Sequence, residues 1–218
     1  MVLWRETPGA PMPLDYLVSA LVTLLVVVDP IGLVPTFLAV THGLPQPARR
    51  QISVRAAIIA AAILTGTAFV GDWLLRQLGI SLPAFRIAGG LLLFAVASEM
   101  VLGVRTGRQS QEAEQALEEQ VRNVAAFPLA IPLMAGPGAI TATLLLAGQA
   151  GGNLGLLAIL IGVVVVVCAL CLLAFLIAGR IDRLLGITGN VVLSRLLGVL
   201  LAALAVQYII DGVKAVLG

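Results

Sequence analysis

The sequence predicts an all-α, polytopic membrane helical bundle of six transmembrane spans, and three observations carry that prediction. Of the 218 residues, 60% are hydrophobic and only 11% are charged. A soluble domain carries about 25% charged residues, so this chain cannot clothe a water-exposed surface and needs lipid around it. No Asp, Glu, Lys or Arg occurs across the 57 residues from Asn123 to Gly179. That is too long for one helix through a hydrocarbon core of roughly 30 Å. The polar break Gly148-Gln-Ala-Gly-Gly-Asn153 divides it into two spans.

The six spans are Leu14–Val40, Ile52–Leu75, Leu82–Val104, Val124–Ala147, Leu154–Ala178 and Val191–Val213. The third is marked by Glu99 inside it. The run Leu14–Val28 has the length of a signal peptide's apolar region. It is followed by Asp29-Pro30 and more apolar sequence, not by a small-residue cleavage site, and reads as half of a retained span. The polar stretch Arg105–Arg122 holds a Gln/Glu/Ala-rich segment, Gln109–Gln120, that reads as a short solvated helix. The chain is thus a single membrane domain, 1–218, with a linker at 105–122.

Orientation follows from the positive residues. Loops one, three and five carry nine: Arg49, Arg50, Arg55, Arg105, Arg108, Arg122, Arg180, Arg183 and Arg195. The opposite side carries four, Arg5, Arg76, Arg86 and Lys214. Loops one, three and five are therefore expected in the cytoplasm of a cell inner-membrane protein, with both termini outside. Trp4 and Trp73 then sit as interfacial anchors on the outer side.

An internal repeat is visible. Arg76-Gln-Leu-Gly-Ile80 matches Arg183-Leu-Leu-Gly-Ile187. The third span aligns with the sixth at an offset of 109, pairing Arg86 with Arg195, Gly89 with Gly198 and Gly103 with Gly212. Asp29-Pro-Ile-Gly-Leu-Val-Pro-Thr36 aligns with Gly136-Pro-Gly-Ala-Ile-Thr-Ala-Thr143, pairing Pro30 with Pro137. Repeat one is 14–104 and repeat two 123–218. Three spans per repeat force the halves to cross in opposite directions, the inverted plan of many secondary transporters.

Spans one and four are each broken near the middle, at Asp29–Gly32 and Gly136–Ala139. Proline removes a backbone donor and glycine permits non-helical backbone, so both spans should unwind there. Irregular backbone at bilayer depth is tolerated only beside protein or a water-filled cavity. Two breaks at matching positions are the best sequence pointer to a transport site. The candidate substrate-binding residues are Asp29, Pro30, Ile31, Gly32, Thr36, Gly136, Pro137, Gly138, Ala139 and Thr141, with Thr143 nearby. Free amides after Pro30 and Pro137 suit a carboxylate, and Asp29 suits an ammonium or a cation. Gly138 leaves room for substrate to approach the backbone. A carboxylic residue at a helix centre costs about 2.5–3.5 kcal/mol on insertion scales, so Asp29 should face inward and have a partner. Asp29 and Glu99 are the candidates for carrying a coupling proton.

The remaining residues read plainly. Cys168 and Cys171 are apolar packing residues within a span. His42 lies in a polar loop, and Asp211 and Lys214 are interface residues. One histidine, no paired intramembrane carboxylates and no Gly-x-Ser-x-Gly leave no sign of an enzyme, a metal site or a cofactor. The weak net charge of +2, without a basic, aromatic-interleaved patch, gives no nucleic-acid site.

Asp29-Pro-Ile-Gly-Leu-Val-Pro-Thr-Phe-Leu38 and Pro128-Leu-Ala-Ile-Pro-Leu-Met-Ala-Gly-Pro-Gly-Ala-Ile-Thr141 resemble the two signatures of the MarC family of integral membrane proteins. The resemblance extends over nearly the whole chain, in length, span count and motif position. The family is related to the SnatA transporters of small neutral amino acids. The resemblance implies transport of glycine- or alanine-like substrates, coupled to protons or another cation, with the two breaks as the substrate site. Export of another small metabolite or a drug is the alternative, weakened by a chain with only ten aromatic residues. A non-transporting membrane accessory protein is the other. The sequence leaves the oligomeric state open.

Overall fold

The structure is a computed structural model that describes residues 13–104 and 125–217. The expected helix at Gln109–Gln120 and the anchor Trp4 lie outside the described residues. Every regular element among the described residues is helical.

Chain order gives α1 (Pro13–Val28), α2 (Val34–Val40), α3 (Gln46–Gln77), α4 (Leu82–Leu102), a π-helical segment (Ala125–Met134), α5 (Pro137–Ala150), α6 (Leu154–Leu176) and α7 (Ala178–Leu217). Four stretches are long and apolar enough to cross a hydrocarbon core: Gln46–Gly71, Leu82–Leu102, Leu154–Leu176 and Thr188–Leu217. The other two expected spans are each cut into two shorter pieces. At 1.5 Å per residue, α1 alone reaches only about 24 Å, and the chain must continue through α2 to go further.

Local chemistry sets the ends. Ser81 accepts from the Ala84 amide at the start of α4, and Asn153 accepts from the amides of Gly155 and Leu156 at the start of α6. These are side-chain caps on otherwise orphan amides. Gly103 and Gly151 close α4 and α5 in the left-handed conformation. The second span extends beyond Ile52–Leu75 at both ends, because Pro45 and Pro47 allow α3 to start at once after the turn. The sixth begins earlier than Val191, and α7 is kinked at Gly186, with φ 59° and ψ −176°. Gly79, its counterpart in the Arg-x-Leu-Gly-Ile match, also takes positive φ, at 67°.

The bundle is held mainly by contacts between the two halves of the chain. The largest interface joins α4 to α7, and α3 packs on α6, α5 and the π-helical segment. α1 packs on α6, α5 and α7, while α4 also packs on α5. Glycines let α4 and α7 approach closely. A Cβ at Gly90 would lie 2.7 Å from the Ala205 carbonyl oxygen, and one at Gly198 would lie 2.8 Å from the Met100 Cβ. Gly212 lies against Arg86, whose Cβ would be 3.2 Å from an added methyl, and Gly103 lies 3.7 Å from an Arg195 guanidinium nitrogen by the same measure. The core is apolar, with Tyr16, Phe37, Leu64, Leu93, Leu145 and Leu160 fully enclosed.

Candidate functional site

Both breaks turn on the residue that precedes a proline. Proline's ring disfavours right-handed helical backbone in that residue. At the first break the residue is Asp29, which takes φ +53°. It is the only non-glycine residue with positive φ among those described. Aspartate tolerates this conformation because its short side chain can bond the local backbone. That is what happens here. Asp29 Oδ1 accepts from the Gly32 amide at 3.0 Å. The Leu33 amide donates to the Asp29 carbonyl at 3.2 Å, and the Val34 amide to the Ile31 carbonyl at 3.0 Å. A side chain on Gly32 would collide with the Asp29 carboxyl group, so glycine is required at that position.

The second oxygen of Asp29 leaves its own segment. Oδ2 accepts from the Ser194 hydroxyl of α7 at 2.9 Å. Asp29 is 3% exposed, so this is the interior partner that burial demands. Sequence reasoning did not single out Ser194. Its only mark is a lone hydroxyl in the apolar run Val191-Val-Leu-Ser194.

At the second break the pre-proline residue is Gly136, which is extended, with φ −79° and ψ 176°. The π-helical segment before it closes with the Ala135 amide donating to the Ala130 carbonyl at 2.8 Å, a five-residue spacing. Pro128 and Pro132 lack amide donors, so an ordinary ladder cannot run through this stretch. α5 then starts at Pro137 with no side-chain cap. The Ile140 amide bonds the Gly136 carbonyl at 2.9 Å. The first amides of α5 therefore point into the break with no side chain of Gly136 to receive them.

The two breaks lie near each other. A Cβ on Gly138 would come 3.2 Å from Val27 Cγ1 and 3.4 Å from Val96 Cγ2. Gly138 is thus packed against Val27 of α1 and Val96 of α4. Of the amides after Pro30, that of Gly32 donates to Asp29 Oδ1.

A cavity of about 360 Å³ lies beside Asp29. Its floor is Asp29, Pro30 and Ile31, with Leu173 and Ala174 of α6 and Leu193 and Leu197 of α7 among its walls. Asp29 is the one ionisable group on it. Of the expected site residues, the cavity gathers only these three from the first break. Gly32 is half-buried just behind Asp29. Thr36, Gly136, Gly138, Ala139 and Thr141 are buried away from the cavity, and Pro137 is exposed. Thr143 donates to the Ala139 carbonyl of its own helix at 2.7 Å. Glu99 is half-buried in α4 and does not line the cavity. His42 is exposed, and Cys168 and Cys171 are buried free thiols within α6. The apolar walls from α6 and α7 had no signal in the sequence beyond general hydrophobicity.

Lipid-requiring helices, broken spans and a buried carboxyl group at the first break define a multi-pass α-helical integral membrane protein. The chain belongs to the MarC family: the model described as MarC family integral membrane protein matches residues 14–217. A UPF0056 membrane protein of Methanocaldococcus jannaschii is 35% identical over 94% of this chain and 100% of its own length. One of Aquifex aeolicus is 36% identical over 100% of this chain and 99% of its own. The UPF0056 membrane protein YhcE of Escherichia coli is 36% identical over 88% of this chain and 89% of its own. No solved structure matches the chain.

Proposed function

We propose that this chain is a secondary transporter of small neutral amino acids of the glycine and alanine class, coupled to protons or another cation. The observation that carries the reading is the pairing of two unlike helix breaks. One bears a buried carboxyl group, Asp29, and the other an uncapped helix start at Gly136–Ala139. A zwitterion needs both kinds of partner. The Asp29 oxygens retain lone pairs beyond the bonds to Gly32 and Ser194, which suits an ammonium. The amides opening α5 suit a carboxylate. Thr36 and Thr141 are near enough along their helices to add hydroxyls once the site opens.

The architecture we propose is six spans in two inverted repeats, 14–104 and 123–218, with α1 plus α2, and the π-helical segment plus α5, as the broken spans. Two sequence-paired contacts support it. Arg86 lies on Gly212 while Arg195 lies on Gly103, the reciprocal contact that a two-fold relation requires. Gly79 and Gly186 both take positive φ at matched positions. The packing of α3 on the π-helical segment is mirrored by α6 on α1, and that of α4 on α5 by α7 on α2. Transport then proceeds by rocking one repeat against the other around the breaks. With loops one, three and five cytoplasmic, both termini face outward in the inner membrane. Asp29 either binds the amine or carries the coupling proton, and Glu99 is the second candidate for the proton.

The test is uptake of radiolabelled glycine and alanine into proteoliposomes under an imposed pH gradient. Asp29→Asn is expected to abolish gradient-driven accumulation. Equal accumulation by wild type and Asp29→Asn across a pH series would remove Asp29 from the mechanism. A second reading, export of another small metabolite, is favoured by one observation. The cavity at Asp29 has apolar walls, which fit an amine bearing a hydrocarbon group better than glycine. Competition of uptake by apolar amines, with none by glycine, would decide for it.

A further inference from the structure

The start of α3 and the end of α6 enclose a groove that neither the breaks nor the cavity at Asp29 uses. It has a volume of about 740 Å³ and is lined by Gln46, Pro47, Arg50, Gln51, Val54, Arg55 and Leu176. The α3 residues form one stripe, because 47, 50, 51, 54 and 55 follow the three-and-four spacing of a helix face. A smaller cleft of about 90 Å³ adjoins it, sharing Gln46, Arg50 and Leu176 and adding Arg49 and Phe175. Arg49 is committed elsewhere: its guanidinium sits 5.6 Å over the Phe37 ring, which in turn stacks on Phe175 at 4.5 Å. Arg50 and Arg55 are exposed.

Nothing on the two walls neutralises these cations. No Asp or Glu occurs between Asp29 and Asp72, and none between Glu119 and Asp182, so neither α3 down to Gly71 nor α6 has a carboxylate to offer. The groove also lies where two membrane-crossing stretches end, Gln46–Gly71 at its first residues and Leu154–Leu176 at its last. Its lining mixes polar and apolar groups, with Arg55 next to Val54 on α3 and Leu176 closing α6. Gln46, Arg50 and Gln51 stand at the helix start, and Val54 and Leu176 supply hydrocarbon. An anion with an attached apolar chain matches both parts.

We propose that this groove binds an anionic phospholipid, with Arg50 and Arg55 on the phosphate and the glutamine amides beside it. One acyl chain lies along Val54 and Leu176. Basic pockets between membrane helices at the water boundary take such headgroups, and arginine's planar fork matches phosphate oxygens. The assignment depends only on the chain's being a membrane protein and is independent of its cargo.

The experiment uses the purified full chain in a neutral detergent. Lipids retained after gel filtration are identified by mass spectrometry. Thermal unfolding is then followed in micelles doped with phosphatidylglycerol or phosphatidylcholine, or with inorganic phosphate alone. The proteins are wild type, Arg50→Gln/Arg55→Gln, and Arg183→Gln as a loss of one charge elsewhere. Wild type should retain anionic lipid, and phosphatidylglycerol should raise its Tm by several degrees while phosphatidylcholine does not. The rise should at least halve in the double variant and persist in Arg183→Gln. An equal rise with both lipids, a full rise in the double variant, or no retained anionic lipid overturns the proposal. The same rise from inorganic phosphate alone overturns the lipid assignment in favour of a soluble anion. Because both arginines are exposed, the double variant is expected to fold, and the retained-lipid measurement on wild type stands without it.

Discussion

The two helix breaks start from the same device and end in opposite states. Each turns on a residue before proline, Asp29 or Gly136. The aspartate, which pays a strain for positive φ, takes the left-handed conformation, while the glycine, which could adopt it freely, stays extended. The difference lies in the side chain. Asp29 folds back onto the Gly32 amide and closes its own turn, then reaches across to Ser194. Gly136 has nothing to fold back, so α5 opens without a side-chain cap. One break closes on its own acidic side chain; the other begins a helix with no side-chain cap. A proline motif therefore marks where a span breaks, and the residue before it decides what the break can bind.

The strongest way to break this comparison is to remove the acid. Asp29→Ala strands the Gly32 amide and the Ser194 hydroxyl and leaves alanine in a left-handed conformation. Stability should fall by about 2–4 kcal/mol, read as a lower midpoint of thermal unfolding in detergent. Asp29→Asn keeps an acceptor and the same tolerance of positive φ, so its loss should be a small fraction of that. If alanine and asparagine unfold alike, the self-closed turn is not what Asp29 does for the fold.

The next effect tests how closely the two breaks are packed. Gly138→Leu drives a side chain into Val27 and Val96, and overpacking of this kind costs about 1–3 kcal/mol. Gly138→Ala needs only a few tenths of an ångström of relief and should be nearly neutral. Full stability of the leucine variant would mean that α5 does not abut α1 and α4 at this point.

A gain is expected at the second break. Gly136→Ser places a hydroxyl at the cap position without requiring positive φ. It should stabilise α5 by roughly a few tenths of a kcal/mol. The same hydroxyl occupies an amide proposed for the substrate carboxylate, so uptake should fall while the unfolding temperature rises. Uptake unchanged in a stabilised Gly136→Ser protein would take the carboxylate away from this helix start.

A further loss is expected at the partner across the bundle. Ser194→Ala removes one of the two donors to Asp29, for a loss of about 1 kcal/mol. A double-mutant cycle of Ser194→Ala with Asp29→Asn should show coupling between positions 165 residues apart in the chain. Strict additivity would mean the bond contributes nothing.

Much of this was readable from the sequence, because bilayer physics is severe on composition. Charge-poor runs of about 20 residues must be helices, so α3, α4, α6 and the long part of α7 follow closely from hydropathy. The breaks were equally legible, since a proline at a fixed position cannot be accommodated in an unbroken ladder. Three things were beyond that reach. Asp29 was marked as needing a partner, but Ser194 became that partner only when α7 was packed against the first break. Gly138 was marked as a point of close approach to the backbone, and the side chains packed against it, Val27 and Val96, come from helices remote in sequence. The cavity walls come from Leu173, Ala174, Leu193 and Leu197, which look like any other apolar residues of their spans. Sequence determined where this chain crosses and breaks, because those are local demands of backbone and solvent. Tertiary structure decided which polar groups are satisfied and where space remains, because both depend on which distant side chains arrive.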